Sequence, residues 1–316
     1  MEKRVTPEPR THPVRVVTAD DAALAAPIFL TGFARSGTTW VNRLMRDYFD
    51  AGFVNEGQFI VDYGRRVNRY GDLRLARNRE RLVTALKRDD FFSILKENYQ
   101  VEIDWRRIAE TCESFAAIVK DILAQIAERM GRHRIGSKYP VFGRHLPLLN
   151  SLFPDCRVIH VVRDGRDCAL SHLGVTWGHR NAYTAAIHWR AYMAAIRLGA
   201  QSMGERYCEI RYEDLLQNPE SSMGWLERFV TGNDQGTVTK RFLEDRGALK
   251  PEKVARWRQL MPPRDQAVFE YVAGDMLKLC GYPLTGVDKP PSFLFKIGCL
   301  VHDRVGREKM YWARKV

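Results

Sequence analysis

Gly32-Phe33-Ala34-Arg35-Ser36-Gly37-Thr38-Thr39 holds the residues best placed to do chemistry. Glycines bracket a tight loop, a guanidinium lies inside it, and hydroxyls follow. Such a loop leaves backbone N–H groups pointing inward at the positive end of a helix, which makes a cradle for an anion. Gly32 and Gly37 keep the spacing of a Walker A loop, and Thr39 stands where that loop has its magnesium-binding hydroxyl. Position 38, however, is Thr where a nucleotide-hydrolysing loop needs Lys. The cation is Arg35 instead, whose fork can hold two oxygens of a phosphate or sulfate together. A second cluster follows the apolar run Cys156–Val162, where Arg163-Asp164-Gly165-Arg166 again puts positive charge at a strand-to-helix crossover.

Both clusters need a strand before them and a helix after. Pro27–Leu30 is an apolar run that reads as a buried strand. Trp40, Val41, Leu44, Met45 and Tyr48 then recur on one helical face. Residues 52–56 read as a short second strand ending in the carboxylate of Glu56. Residues 57–103 are polar and Arg-rich; Arg65, Arg66, Arg69, Arg74, Arg77, Arg79 and Arg81 are expected on helices, mostly as a solvated face. The spacing of Ile108, Cys112, Phe115, Ile118, Ile122 and Ile126 predicts one helix from Trp105 to Met130, capped by Gly131. A strand then enters the turn at Lys138-Tyr139-Pro140, and Cys156–Arg163 is a continuous apolar strand of the parallel-sheet kind. Arg166 and Asp167 are expected to pair with each other or with the sheet edge. Asn181–Met203 is a helix with a core stripe of Trp189, Met193 and Ile196. Arg206–Tyr212 is a further strand, and Pro219 opens a helix to Val230. Thr231–Pro263 reads as a basic loop, with Lys240, Arg241, Arg246, Lys250, Lys253, Arg256 and Arg258. Pro262 and Pro263 start a further helix, ended by Gly281 and Pro283. Alternating strands and helices imply an α/β fold, a P-loop-like three-layer domain whose central parallel sheet is flanked by helices. Ligands then lie outside the carboxyl ends of the strands.

Arg35-Ser36-Gly37-Thr38-Thr39-Trp40 resembles the 5′-phosphosulfate loop of sulfotransferases that use 3′-phosphoadenosine 5′-phosphosulfate (PAPS). The Arg is in the style of tyrosylprotein, bacterial and carbohydrate members. The resemblance covers about residues 27–282 and implies roles residue by residue. Arg163 and, eight residues on, Ser171 match the 3′-phosphate element, where a helix brings guanidinium and hydroxyl to one side of a turn to share one phosphate. Lys138, in its Lys-x-Pro turn, matches the Lys that neutralises the leaving-group oxygen. In tyrosylprotein-type members a Glu about as far past the loop as Glu56 is the base, a role that Glu56 matches; cytosolic members use a His two positions after that Lys, where Pro140 stands here, and His145 is expected to pack or cap a helix. Tyr212, in Tyr212-Glu213-Asp214-Leu215, resembles the adenine-contacting Tyr, with Trp40 as a second aromatic face. Ala255-Arg256-Trp257 resembles the end of a loop that folds over the nucleotide, which makes Arg256 a further ligand. The implied reaction is in-line transfer of a sulfuryl group from PAPS to a hydroxyl or amine, leaving adenosine 3′,5′-bisphosphate. Arg35, Lys138 and the hydroxyls of Thr38 and Thr39 balance charge, and no metal is required.

The chain has 316 residues, 45% hydrophobic, with a net charge of +12. That charge favours anionic ligands, nucleic acid or acidic membrane. A basic module for nucleic acid leaves unexplained why the basic residues gather at strand ends, so no nucleic acid is expected; a P-loop kinase or hydrolase is disfavoured by Thr38 and the second anion loop. No run reaches the ~18 apolar residues of a membrane helix, and residues 1–26 lack a signal-peptide core. A cytoplasmic protein is expected. The six cysteines are scattered without metal spacing, which predicts buried thiols. Domain limits are read as an extension over 1–26, the sulfotransferase-like domain over 27–282 with an acceptor-covering insert at 57–103, and a basic amphipathic tail over 283–316. The tail carries Phe293, Leu294, Phe295, Ile297, Leu300 and Val301 with Arg304, Arg307, Lys309, Arg314 and Lys315. It is expected to pack on the domain, with peripheral membrane contact as the alternative. The acceptor remains open among small molecules, carbohydrates and lipids, as does the oligomeric state.

Overall fold

A computed structural model describes residues 26–232, 234–245, 254–286 and 290–313, with side chains of 307–313 excepted. The extension up to residue 25, Arg246, Lys250, Lys253, Arg314, Lys315 and the side chains of Arg307 and Lys309 lie outside the described residues. Five strands form one parallel sheet: β1 Ile28–Thr31, β2 Ala51–Asn55, β3 Arg134–Lys138, β4 Arg157–Val162 and β5 Tyr207–Arg211, in the order β2-β3-β1-β4-β5. β1 is central, with Leu30 opposite Lys138 of β3 on one side and Ile159 of β4 on the other. The chain leaves β1 for the edge at β2, returns to β3, then crosses to β4. The order therefore reverses at the carboxyl end of β1, the crevice where open α/β sheets take ligands.

Both faces of the sheet are covered. Phe29, Val54, Ile135 and Val158 point into a core with the helices Phe115–Arg129, Ala182–Ala200 and Pro263–Leu279. Ile28, Leu30, Phe53, Ile159 and Val161 point the other way, onto the helices Thr38–Tyr48, Tyr212–Gln217, Pro219–Thr231 and Thr237–Glu244. Side chains alternating at period two between two buried faces explain why these strands are apolar throughout. All six cysteines are buried. Burial pushes the Cys156 thiol up to about 12 and that of Cys280 up to about 11, so neither is a thiolate near neutral pH.

Several elements depart from the sequence pattern. The single helix expected over Trp105–Met130 is two, Trp105–Thr111 and Phe115–Arg129. Ser114 between them takes extended backbone, and its Oγ accepts from Ala117 N, an N-cap that outweighs the continuous apolar spacing. The basic stretch expected as loop contains the helix Thr237–Glu244. Glu227 starts it by accepting from Val238 N at 3.0 Å and Thr239 N at 2.9 Å. Residues 57–103 form helical segments, Gln58–Gly64, Ala76–Leu86 and Asp90–Tyr99 among them. Arg79 is buried there, not solvated, and its guanidinium donates to the carbonyls of Leu73, Arg74 and Ala109. The C-terminal helix Phe293–Ala313 packs on Ala182–Ala200.

Candidate active site

The loop after β1 is shaped by its glycines and by one strained residue. A Cβ on Gly32 would sit 2.6 Å from both Ser36 Oγ and the Val161 carbonyl, so the loop closes only on a bare α-carbon. Gly37 has φ +97°, and a Cβ there would meet the Tyr212 ring at 2.4 Å. Arg35 itself adopts φ +72°, a conformation that costs a side-chain-bearing residue about 1–2 kcal/mol. The turn closes through Ser36 N to the Phe33 carbonyl at 3.0 Å. Ser36 Oγ is buried in the loop without a hydrogen-bond partner among the described residues.

β4 ends beside this loop, and the two anion-binding candidates touch. Arg35 Nε donates to Ser171 Oγ at 2.9 Å, and Arg163 Nη1 donates to the Arg35 carbonyl at 3.1 Å. The Arg163 guanidinium also lies 4.6 Å from the centre of the Tyr212 ring. That ring meets Trp40 edge-on at 5.8 Å. A cleft of about 700 Å³ opens over these groups, lined by Arg35, Gly37, Thr38, Thr39, Trp40, Arg163, Ser171, Tyr212 and Arg256. Motifs spread over more than two hundred residues thus share one cavity. Its basic lining, two helix starts and two aromatic rings suit a phosphorylated, ring-bearing anion.

Glu56 and Lys138 form a separate pair at the ends of β2 and β3. Lys138 Nζ lies 3.1 Å from Glu56 Oε1, with the ammonium end buried at 5% exposure and the carboxylate open at 51%. Glu56 adopts φ +67° and donates its N–H to the Lys138 carbonyl at 2.8 Å. Thr31 ties this turn to β1: its Oγ1 contacts the Tyr139 and Pro140 carbonyls and accepts from Gly143 N. His145 is half-buried at the N-cap of the helix Leu146–Leu152; its carbonyl accepts from Leu149 N at 3.0 Å, and its side chain makes no capping hydrogen bond.

The supports of the second loop escape the sequence pattern. Arg166 and Asp167 do not pair with each other. Arg166 is fully buried, bidentate to Asp164 at 2.7 and 3.0 Å, bonded to Glu270 at 2.6 Å and stacked 3.6 Å above Trp257. Asp167 faces Arg163 at 3.6 Å and accepts from Trp257 N at 2.9 Å, which pins the segment bearing Arg256. Glu213 accepts from Asp164 N at 3.0 Å and from Tyr282 Oη at 2.9 Å. Beneath the first loop, His172 Nε2 lies 3.2 Å from the Ala34 carbonyl. Burial, against the raising effect of Ala34, lowers its pKa to about 4, so the ring is neutral and donates. Only Asp164, just before Gly165 at a helix start, carried a sequence signal, that of an N-cap.

Residues 27–231 match the family described as the sulfotransferase family. The chain belongs to the sulfotransferase family. Solved structures agree on the fold. One is the sulfotransferase domain from the Synechococcus PCC 7002 olefin synthase, with 19% identity, TM-score 0.52, and 82% of this chain and 95% of that one covered. Another is the sulfotransferase domain from the curacin biosynthetic pathway, with 16% identity, TM-score 0.53, and 83% and 99% covered. No curated protein sequence matches the chain. Membership supports a transferase of sulfuryl groups, and the five-stranded parallel sheet flanked by helices is the family's α/β architecture.

Proposed function

We propose that this sulfotransferase moves the sulfuryl group of PAPS to a hydroxyl of its acceptor, with Glu56 as general base and Lys138 beside the leaving group. The observation that carries the reading is the meeting of two anion loops in one cleft, through Arg35, Ser171 and Arg163. ATP has one chain of phosphates, which a single loop can hold. A nucleotide with separate 3′ and 5′ anions calls for two. The fit is supported by the buried, unpartnered Ser36 Oγ and by the glycine-only closure of the loop.

When bound, the donor would supply a sulfuryl group on a phosphate leaving group. Ser36, Thr38, Thr39 and Arg35 would hold the 5′ side, and Arg163 and Ser171 the 3′-phosphate. Trp40 and Tyr212 offer aromatic surface to the base, and Arg256 reaches the cleft from the segment that Asp167 pins. Glu56, half exposed, would accept the acceptor's proton. The Lys138 ammonium, buried and already desolvated, would meet charge developing on the leaving oxygen, where a preorganised cation acts more strongly than in water.

Calorimetric titration without added magnesium tests this. Adenosine 3′,5′-bisphosphate should bind at least ~10-fold more tightly than ATP, about 1.4 kcal/mol, and Ser171→Ala should narrow the gap. A preference for ATP would remove the assignment of Arg163 and Ser171 and return the chain to kinase-like chemistry.

A further inference from the structure

We propose that the C-terminal helix Phe293–Ala313 docks this protein on the surface of an anionic bilayer. The helix has two unlike faces. Its inner face is fixed to the body: Cys299 and Asp303 are buried, Arg180 N and Thr184 Oγ1 donate to Asp303 at 3.0 and 3.2 Å, and Asn181 Nδ2 donates to the Cys299 carbonyl at 2.8 Å. Lys296 and Arg264 extend the attachment, lying over the Tyr271 and Phe295 rings. Phe293, Leu294, Ile297, Leu300, Val301 and Val305 occupy the opposite face, 42–79% exposed. At 100° per residue these six fall within one arc turned away from Cys299 and Asp303. With the inner face held, that apolar arc stays exposed among the described residues, a cost that nothing there offsets.

Charge selects the occupant. Between Phe293 and Gly306 the sole acid is Asp303, which is buried on the inner face, while Arg304 lies within the apolar arc. From 293 to 316 the sequence has six basic residues and two acidic ones, on a chain of net charge +12. A second copy laid on this face would bring like charges together, whereas a bilayer with acidic headgroups takes both the apolar arc and the positive charge this segment carries in its sequence. The placement also bears on the cleft. The segment after Ser171 contributes Gly174 and Val175 to the cleft and is fastened at Arg180 to Asp303. Docking would hold that rim close to the membrane surface, within reach of hydroxyls carried there.

Flotation of the full chain with vesicles of phosphatidylcholine, with and without 30% phosphatidylglycerol, tests the proposal. Binding to the anionic vesicles is expected, at least ~10-fold stronger than to neutral ones and weakened by salt. Ile297→Glu with Val301→Glu should abolish it while adenosine 3′,5′-bisphosphate affinity is kept, which shows an intact fold. Leu198→Glu, on a helix surface elsewhere and 70% exposed, should bind as the parent does. Absence of flotation would overturn the proposal, as would undiminished flotation of the double variant. A concentration-dependent dimer dissolved by the same pair of substitutions, without vesicle binding, would give the face to a second copy instead.

Discussion

Glu56 and Lys138 reach one another from separate strands, and the carboxylate is the more exposed partner. Gln at position 56 keeps an oxygen for the ammonium and loses only the capacity to take a proton. Glu56→Gln should therefore lower turnover by about 10²–10⁴-fold and leave nucleotide affinity near that of the parent. Steady-state rates beside calorimetry check this, and an unchanged rate would remove Glu56 as the base. His172 makes a prediction about pH. Burial holds its folded pKa at about 4, below the ordinary 6.5, so the unfolded chain binds the proton more readily. The stability this gives is full above pH 6.5 and is lost as pH falls towards 4, about 3 kcal/mol at most for that interval. In His172→Gln, which can still donate to the Ala34 carbonyl, melting temperature should vary less with pH between 6.5 and 4. An equally steep profile would mean that other groups set the acid limit.

At the scale of the element, the helix Gly165–Leu173 carries Ser171 and begins on a network of buried charge. Asp164 and Glu270 share Arg166, and Glu213 holds the Asp164 N–H. Removing the shared cation leaves two carboxylates buried together. Arg166→Ala should cost about 3–5 kcal/mol, read as a shifted midpoint in urea unfolding. Arg163→Ala should be milder, since that guanidinium lies at the cleft rather than beneath it. A loss below ~1 kcal/mol for Arg166→Ala would mean that water enters and solvates the acids. The same helix shows where sequence reading stops. Arg163 stands two residues before the helix and Ser171 on it, so one short stretch of sequence carries both. Arg166 is held by a carboxylate 104 residues away, and no local pattern points to it. Ser114 gives a subtler case: its capping preference was visible, but the apolar repeat across it was the louder signal.

Across the whole molecule, the legible parts are those made by contiguous residues. Strand, glycine loop and helix follow each other directly at Gly32–Thr39 and again around Arg163–Ser171, so the α/β class and both strand-to-helix turns were legible in the sequence. Their meeting in one cleft depends on β1 and β4 being neighbours, a fact of strand order. The inward side of the C-terminal helix depends likewise on Asp303 finding Arg180 and Thr184. Strand order has a further consequence, for the time course of folding. β1 is the central strand, yet its first neighbour is β3, with Ile28 paired to Gly136. During synthesis at about 5–20 residues per second, β1 waits roughly 5–20 s for that partner. For this interval the nascent chain holds an apolar strand with two bare edges, and the helices encoded between it and β3 are available to cover it. Refolding of the isolated chain should be correspondingly slow, because the sheet must close long loops before its centre exists.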